Sequence, residues 1–227
     1  MEWHYQLFVM LVIGLVLFIG YGTYATAKLL KQWQPDQNLL LMPAENAVRF
    51  VLILLCVGLG YLSHLDPAQL GWRMGDVSRQ IWVGIFTGLG MAYLFYHLTR
   101  LIVKKTGERF YSSSVIGYIL PHSDEEFWWV LLALVPVVLL EELLFRSLLL
   151  GGLSPLAPSW VLLLIFGVVF GLLHSPQGRW GMVGTALGGL IFGVLFLWQQ
   201  SLLAPILAHY VANAVQIVLA MNVPRSG

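Results

Sequence analysis

Hydrophobic residues run along this chain in blocks too long and too continuous to be one face of a soluble helix. Seven such blocks, at residues 3–27, 48–65, 81–103, 127–150, 160–174, 181–198 and 202–221, are separated by short polar punctuation such as Asp66-Pro67, Leu153-Ser154-Pro155 and Ser175-Pro176-Gln177-Gly178. A helix crossing a bilayer needs about 20 mostly apolar residues. The blocks therefore predict an all-α fold, a polytopic transmembrane helical bundle of about seven (six to eight) spanning helices. The fifth block is short for a crossing, so it is expected either to tilt less than its neighbours or to lie partly buried in protein. No connection is long enough to fold separately and no internal repeat is visible, so residues 1–227 read as a single integral membrane domain.

Composition supports the bilayer. Hydrophobic residues make up 59% of the chain and charged ones 10%, too few charges to cover a soluble surface of this size. The formal net charge of +1 offers no basic surface, which excludes nucleic acid as a partner and leaves membrane lipids as the expected surroundings. A single cysteine, Cys56, inside an apolar block excludes an internal disulfide and a cysteine-based zinc site, and reads as a small core residue. No Lys or Arg precedes the first block, so it is expected to be a spanning helix rather than a signal peptide, although Ala25-Thr26-Ala27 resembles a cleavage site.

Basic residues set the expected orientation. On alternate connections one side carries Lys28, Lys31, Lys104, Lys105, Arg109, Arg179 and Arg225, the other only Arg73 and Arg79. The richer side is predicted cytoplasmic, giving an outside N-terminus and a cytoplasmic C-terminus. Trp3, Trp33, Trp72, Trp82, Trp128, Trp129, Trp160 and Trp198 fall near block ends, as interfacial aromatics do. The polar stretch 106–126 contains Tyr111 and Ser112, Ser113 and Ser114, then the acids Asp124, Glu125 and Glu126, which suit the N-terminal end of the fourth helix.

The chemistry lies in polar residues inside apolar helices, where each ionisable group asks for a partner or a function. The fourth block holds Glu141, Glu142 and Arg146. Glu142 and Arg146 are four apart and can pair on one helix face. Glu141 points about 100° away, on the face of Phe145, and has no obvious partner on its own helix. The fifth block ends in Phe170-x-x-x-His174, and the seventh carries His209-x-x-x-Asn213 with both side chains on one face. If the three helices converge, a carboxylate, two imidazoles and an amide surround one cavity. Such a set can activate water and stabilise an oxyanion. Gly167, Gly171, Gly181, Gly184, Gly188, Gly189 and Gly193 either allow close backbone approach there or serve helix packing alone.

The ordered trio Glu141-Glu142-x-x-x-Arg146, Phe170-x-x-x-His174 and His209-x-x-x-Asn213 resembles the signature of the CaaX protease and bacteriocin-processing (CPBP) intramembrane peptidases, over a core of about residues 127–213. The resemblance implies Glu141 as general base, His174 as its principal partner, and His209 and Asn213 orienting water or the oxyanion. Glu142, Arg146 and Phe170 are supporting. It also implies a lipidated or membrane-embedded peptide or lipoprotein as substrate, its identity open, and a bacterial-type plasma membrane. Members are called metallopeptidases; no cofactor is assigned here, and a metal-free site is favoured. The alternative is zinc on Glu141, His174 and His209, although no His-Glu-x-x-His helix is present. Two rival readings use the same residues: a non-catalytic membrane scaffold or bacteriocin-immunity protein, and a proton- or ion-coupled transporter, for which only Pro136 and Pro205 hint at broken helices.

Overall fold

The computed structural model describes residues 2–30, 32–33, 35–107 and 117–222; Lys31, Arg109, Arg225 and residues 111–114 of the sequence reading lie outside the described residues. Among the described residues seven α-helices follow one another: α1 Trp3–Leu29, α2 Pro43–Leu62, α3 Val77–Thr106, α4 Asp124–Glu142, α5 Ser159–Leu173, α6 Gly178–Gln199 and α7 Leu203–Met221. Among the described residues there is no strand. Six helical units among the described residues are long and apolar enough to cross a membrane, while α5, at 15 residues, is shorter. The chain is thus an all-helical integral membrane bundle, with its fifth helix short as its hydrophobic block requires.

Local chemistry sets the helix starts. Pro43 opens α2 where a missing N–H is harmless. The Asp76 side chain accepts from Arg79 N–H at 3.0 Å to cap α3. At α4 the Ser123 hydroxyl accepts from Glu126 N–H at 3.1 Å while the Glu126 carboxylate accepts from His122 N–H at 2.7 Å. These caps start α4 three residues ahead of its apolar block and give the acids 124–126 a helix-terminal role.

One feature of the fourth block departs from the α-helical periodicity used to read it. After Glu142 the helix continues without a break but widens into a π-helical stretch, Leu143–Gly151. Such wide turns are uncommon and cluster at functional sites. All nine residues of the stretch are buried, so here neighbours from α2, α5 and α6 dictate the winding rather than lipid.

Two seams of small residues lock the site helices together. Gly84 and Gly88 of α3 lie against Ala204 and Ala208 of α7, and a Cβ built at Gly88 would sit 2.6 Å from the Ala208 carbonyl oxygen. This small-xxx-small contact lets two parallel helices touch backbone to backbone, which is how spanning helices associate without a hydrophobic drive. Gly171 of α5 meets α6 in the same way, where an added Cβ would sit 2.5 Å from the Met182 carbonyl oxygen. Gly88→Val is therefore expected to destabilise the bundle by about 1–3 kcal/mol through overpacking. Gly90→Val, where a Cβ meets nothing within 4 Å, serves as the neutral control. Thermal unfolding of both variants in detergent checks this, and equal midpoints would remove the α3–α7 contact from the account.

The interfacial tryptophans divide in the same spirit. Trp3, Trp33, Trp82, Trp128, Trp129, Trp160 and Trp198 are exposed, but Trp72 is not among them. It turns inward, packs on Gly60 and donates from its indole to the Ser147 hydroxyl at 2.9 Å, so it plugs one end of the bundle rather than marking the bilayer surface. Cys56 is fully buried in the core shared by α1, α2, α5 and the π-helical stretch.

Candidate active site

Three helices bring the polar motif residues together. The end of α4 supplies Glu141 and Glu142, the residue capping α5 is His174, and α7 contributes His209 and Asn213. Glu141, Phe170, His174, His209 and Asn213 all line one cavity of about 280 Å³. From them it extends between α3, α6 and α7 towards Thr99, Trp180 and Ala220.

The adjacent glutamates occupy opposite environments. Glu142 is completely buried; its Oε1 lies 3.1 Å from Arg146 Nη1 and accepts a hydrogen bond from His209 Nδ1 at 2.7 Å. Arg146, 2% exposed, donates through Nη2 to the Gly189 carbonyl at 3.0 Å. Its guanidinium lies 4.9 Å from the Phe170 ring and 5.3 Å from the Phe192 ring, a cation–π setting that suits a planar, weakly hydrated cation. Glu142 Oε2 has no hydrogen-bond partner among the described residues. Glu141, by contrast, is 26% exposed, and its Oε2 is 3.5 Å from His209 Nε2. With no partner on its own helix, Glu141 finds one on another, because α7 places an imidazole beside it. Phe145, read as sharing its face, instead packs edge-on against Phe170 and forms no part of the cavity wall. The widened turn that begins at Leu143 separates the two.

The hydrogen bonds settle which imidazole nitrogen carries a proton. His174 Nδ1 is 2.7 Å from the Phe170 carbonyl oxygen, and His209 Nδ1 is 2.7 Å from the Glu142 carboxylate. Carbonyl and ionised carboxylate oxygens only accept, so both Nδ1 atoms donate. In the neutral form each Nε2 is then left as an acceptor, and both rings belong to residues of the cavity wall. The Phe192 ring stacks on His209 at 4.6 Å and fixes its plane. Phe170 serves both rings, carrying the carbonyl under His174 and packing 6.1 Å from His209.

Arg49 of α2 also belongs to the site's surroundings. It lies within electrostatic reach of Glu141 and is held by Asn46 Oδ1 at 2.9 Å. It was legible as a charge inside the second hydrophobic block, but it lies outside the three motifs and was not singled out. His174 and Glu141 face the same cavity without a hydrogen bond or ion pair between them; the imidazole adjacent to Glu141 is that of His209.

A carboxylate and two imidazoles with free Nε2 atoms are chemically suited to zinc, and an Nδ1–H bonded to a carbonyl or carboxylate is the usual support of a ligating histidine. The spacing does not match this. Among the described residues no three His, Cys, Asp or Glu side chains are grouped closely enough to share one metal ion.

Fold and site together define a helical membrane protein with a carboxylate and two imidazoles around a cavity within the bundle. Residues 123–215 match the family model described as type II CAAX prenyl endopeptidase Rce1-like, so that segment is similar to the CaaX proteases. All the motif residues from Glu141 to Asn213 fall within the match, whereas α1, α2 and α3 lie outside it. No curated protein and no solved structure gives a significant match to the chain.

Proposed function

We propose that this protein is an intramembrane endopeptidase that hydrolyses a peptide bond in a lipidated or membrane-embedded peptide, using water activated by Glu141. The observation that carries the reading is the division of labour between the paired glutamates. Glu142 is committed to Arg146 and His209 in the core, while Glu141 reaches the cavity with one carboxylate oxygen beside His209 Nε2. A general base needs that access to the cavity, which Glu142 lacks.

In this mechanism Glu141 takes a proton from water as the water attacks the scissile carbonyl, and returns it to the leaving amine. His174, whose Nδ1 is tied to the Phe170 carbonyl, accepts a hydrogen bond from that water through Nε2. Asn213 and His209 flank the reacting carbonyl, and the Asn213 amide donates to its oxygen as negative charge develops. Glu142 orients His209, and Arg146 balances Glu142. In this reading the route is metal-free. The setting is a bacterial-type plasma membrane, with the end of the bundle that bears Lys104, Lys105 and Arg179 on the cytoplasmic side.

The test is cleavage of fluorescence-quenched peptides, lipidated and unlipidated, by purified protein in detergent, with and without a zinc chelator. Hydrolysis that persists in chelator is the expected result. Loss of activity in chelator with recovery on adding zinc would refute the metal-free route, and no cleavage of any peptide by folded protein would favour the scaffold or immunity reading.

A further inference from the structure

The two long edges of α3 are closed in different ways. Along α7 the contact is backbone on backbone, through Gly84 and Gly88 against Ala204 and Ala208. Along α6 the helices approach far less closely, and side chains from α3 close the gap. Met91 and Phe95 reach across to glycines: a Cβ built at Gly188 would lie 3.4 Å from Met91 Cε, and one at Gly184 would lie 3.8 Å from the Phe95 ring. These are ordinary contacts, not the overlaps found along α7. At one end the seam is latched by the Trp180 indole donating to the Thr99 hydroxyl at 2.8 Å.

All six of these seam residues also line the cavity that holds Glu141 and His209. On the outside, Tyr93 and Leu94 of α3 and Val183 and Leu187 of α6 are exposed apolar side chains, and no described helix covers the seam between them. Met91 and Phe95 therefore line the cavity on the side of this exposed apolar seam. Methionine is unbranched and readily changes rotamer. The facing α6 positions are glycines and present no side chain to Met91 or Phe95.

We propose that the α3–α6 seam is a lateral port through which the cavity admits a peptide that stays anchored in the bilayer, with Met91 and Phe95 as its movable leaf. This rests on the hydrolase reading of the cavity for its substrate, though not for the existence of the opening. Sideways entry leaves the substrate's apolar anchor in hydrocarbon, whereas entry from water would expose it. The peptide backbone to be cut must unwind, and unpaired N–H and C=O groups are tolerated at membrane depth only inside protein. Thr185 and Gln216 in the cavity wall offer the polar partners it needs.

The port can be tested without catalysis. Ala212→Cys places a thiol in the cavity wall, and fully buried Cys56 sets the background in the parent protein. In liposomes, a bilayer-partitioning alkyl maleimide is expected to label this thiol. Labelling should fall on the order of tenfold when Gly184→Leu fills the seam and rise when Met91→Ala and Phe95→Ala open it, as gating substitutions do. Labelling by a sulfonated, water-borne maleimide should stay unchanged. Alkyl-maleimide labelling indifferent to both changes, or both reagents responding alike, would overturn the port. In a second arm, Gly184→Leu should slow cleavage of a palmitoylated peptide in liposomes much more than cleavage of a short soluble peptide; equal slowing of the two also overturns it. If no variant cleaves any peptide, the hydrolase reading fails and the labelling alone decides the port.

Discussion

Glu141→Gln is expected to lower peptide hydrolysis by about two to four orders of magnitude, the usual worth of a general base, with the protein still folded. Glutamine keeps the shape of the side chain and its reach into the cavity but cannot accept a proton at neutral pH. Because Glu141 is partly exposed to the cavity and the buried Arg146 has Glu142 as its direct counter-ion, removing its charge leaves that pair intact. The rate should therefore collapse without a matching loss of stability. Single-turnover cleavage and thermal unfolding, measured side by side on wild type and variant, decide the matter. Full activity in the variant would mean that another group activates water. A variant that unfolds along with losing activity would instead make Glu141 part of the packing. The rival classes separate in the same experiment, since a transporter would show Glu141-dependent flux and a scaffold would tolerate the change in a binding assay.

The bundle was legible in the sequence because lipid imposes a length and a composition on every crossing helix. Hydrophobic blocks at residues 3–27 and 202–221 end within about two residues of α1 and α7, within ordinary boundary scatter. The second block began five residues late, since Pro43, Glu45 and Asn46 form a polar first turn that hydrophobicity alone cannot assign to the helix. The site was legible as a set of misplaced polar residues, and one shared cavity brings Glu141, His174, His209 and Asn213 together. What periodicity could not supply was the partner of each carboxylate. Spacing of four joined Glu142 to Arg146 correctly, but the bond from His209 to Glu142 crosses from α7 to α4 and leaves no trace in either helix's own pattern. The π-helical winding was invisible for a similar reason. Residues 143–151 have an ordinary apolar composition that carries no signal of their wide turn. The glycines illustrate the same limit, because Gly171 and Gly184 look alike in sequence yet one touches a backbone and the other only a ring.

Arg146→Met should destabilise the protein by about 3–5 kcal/mol, the penalty for leaving one member of a buried ion pair uncompensated. The geometry supports the full range: Glu142 is completely buried, one of its oxygens already lacks a partner, and the surrounding Phe145, Phe170 and Phe192 offer no hydrogen bond in place of the guanidinium. Adding Glu142→Gln to Arg146→Met removes the stranded charge and leaves two neutral side chains of similar volume, so stability should return to within about 1.5 kcal/mol of wild type. Activity should not return with it. The introduced glutamine can still accept from His209 Nδ1–H, but through a neutral oxygen that holds the imidazole less firmly, and a deficit of about 10–100-fold is expected, as for other outer-shell partners of a functional histidine. Unfolding in mixed detergent micelles gives the stability cycle, and kcat with a quenched peptide gives the other readout. If activity recovers together with stability in the double variant, the Glu142–Arg146 pair is packing alone and His209 needs no carboxylate. If stability recovers and kcat does not, the second glutamate is retained to aim an imidazole at its neighbour, and the arginine to make that glutamate tolerable in the core.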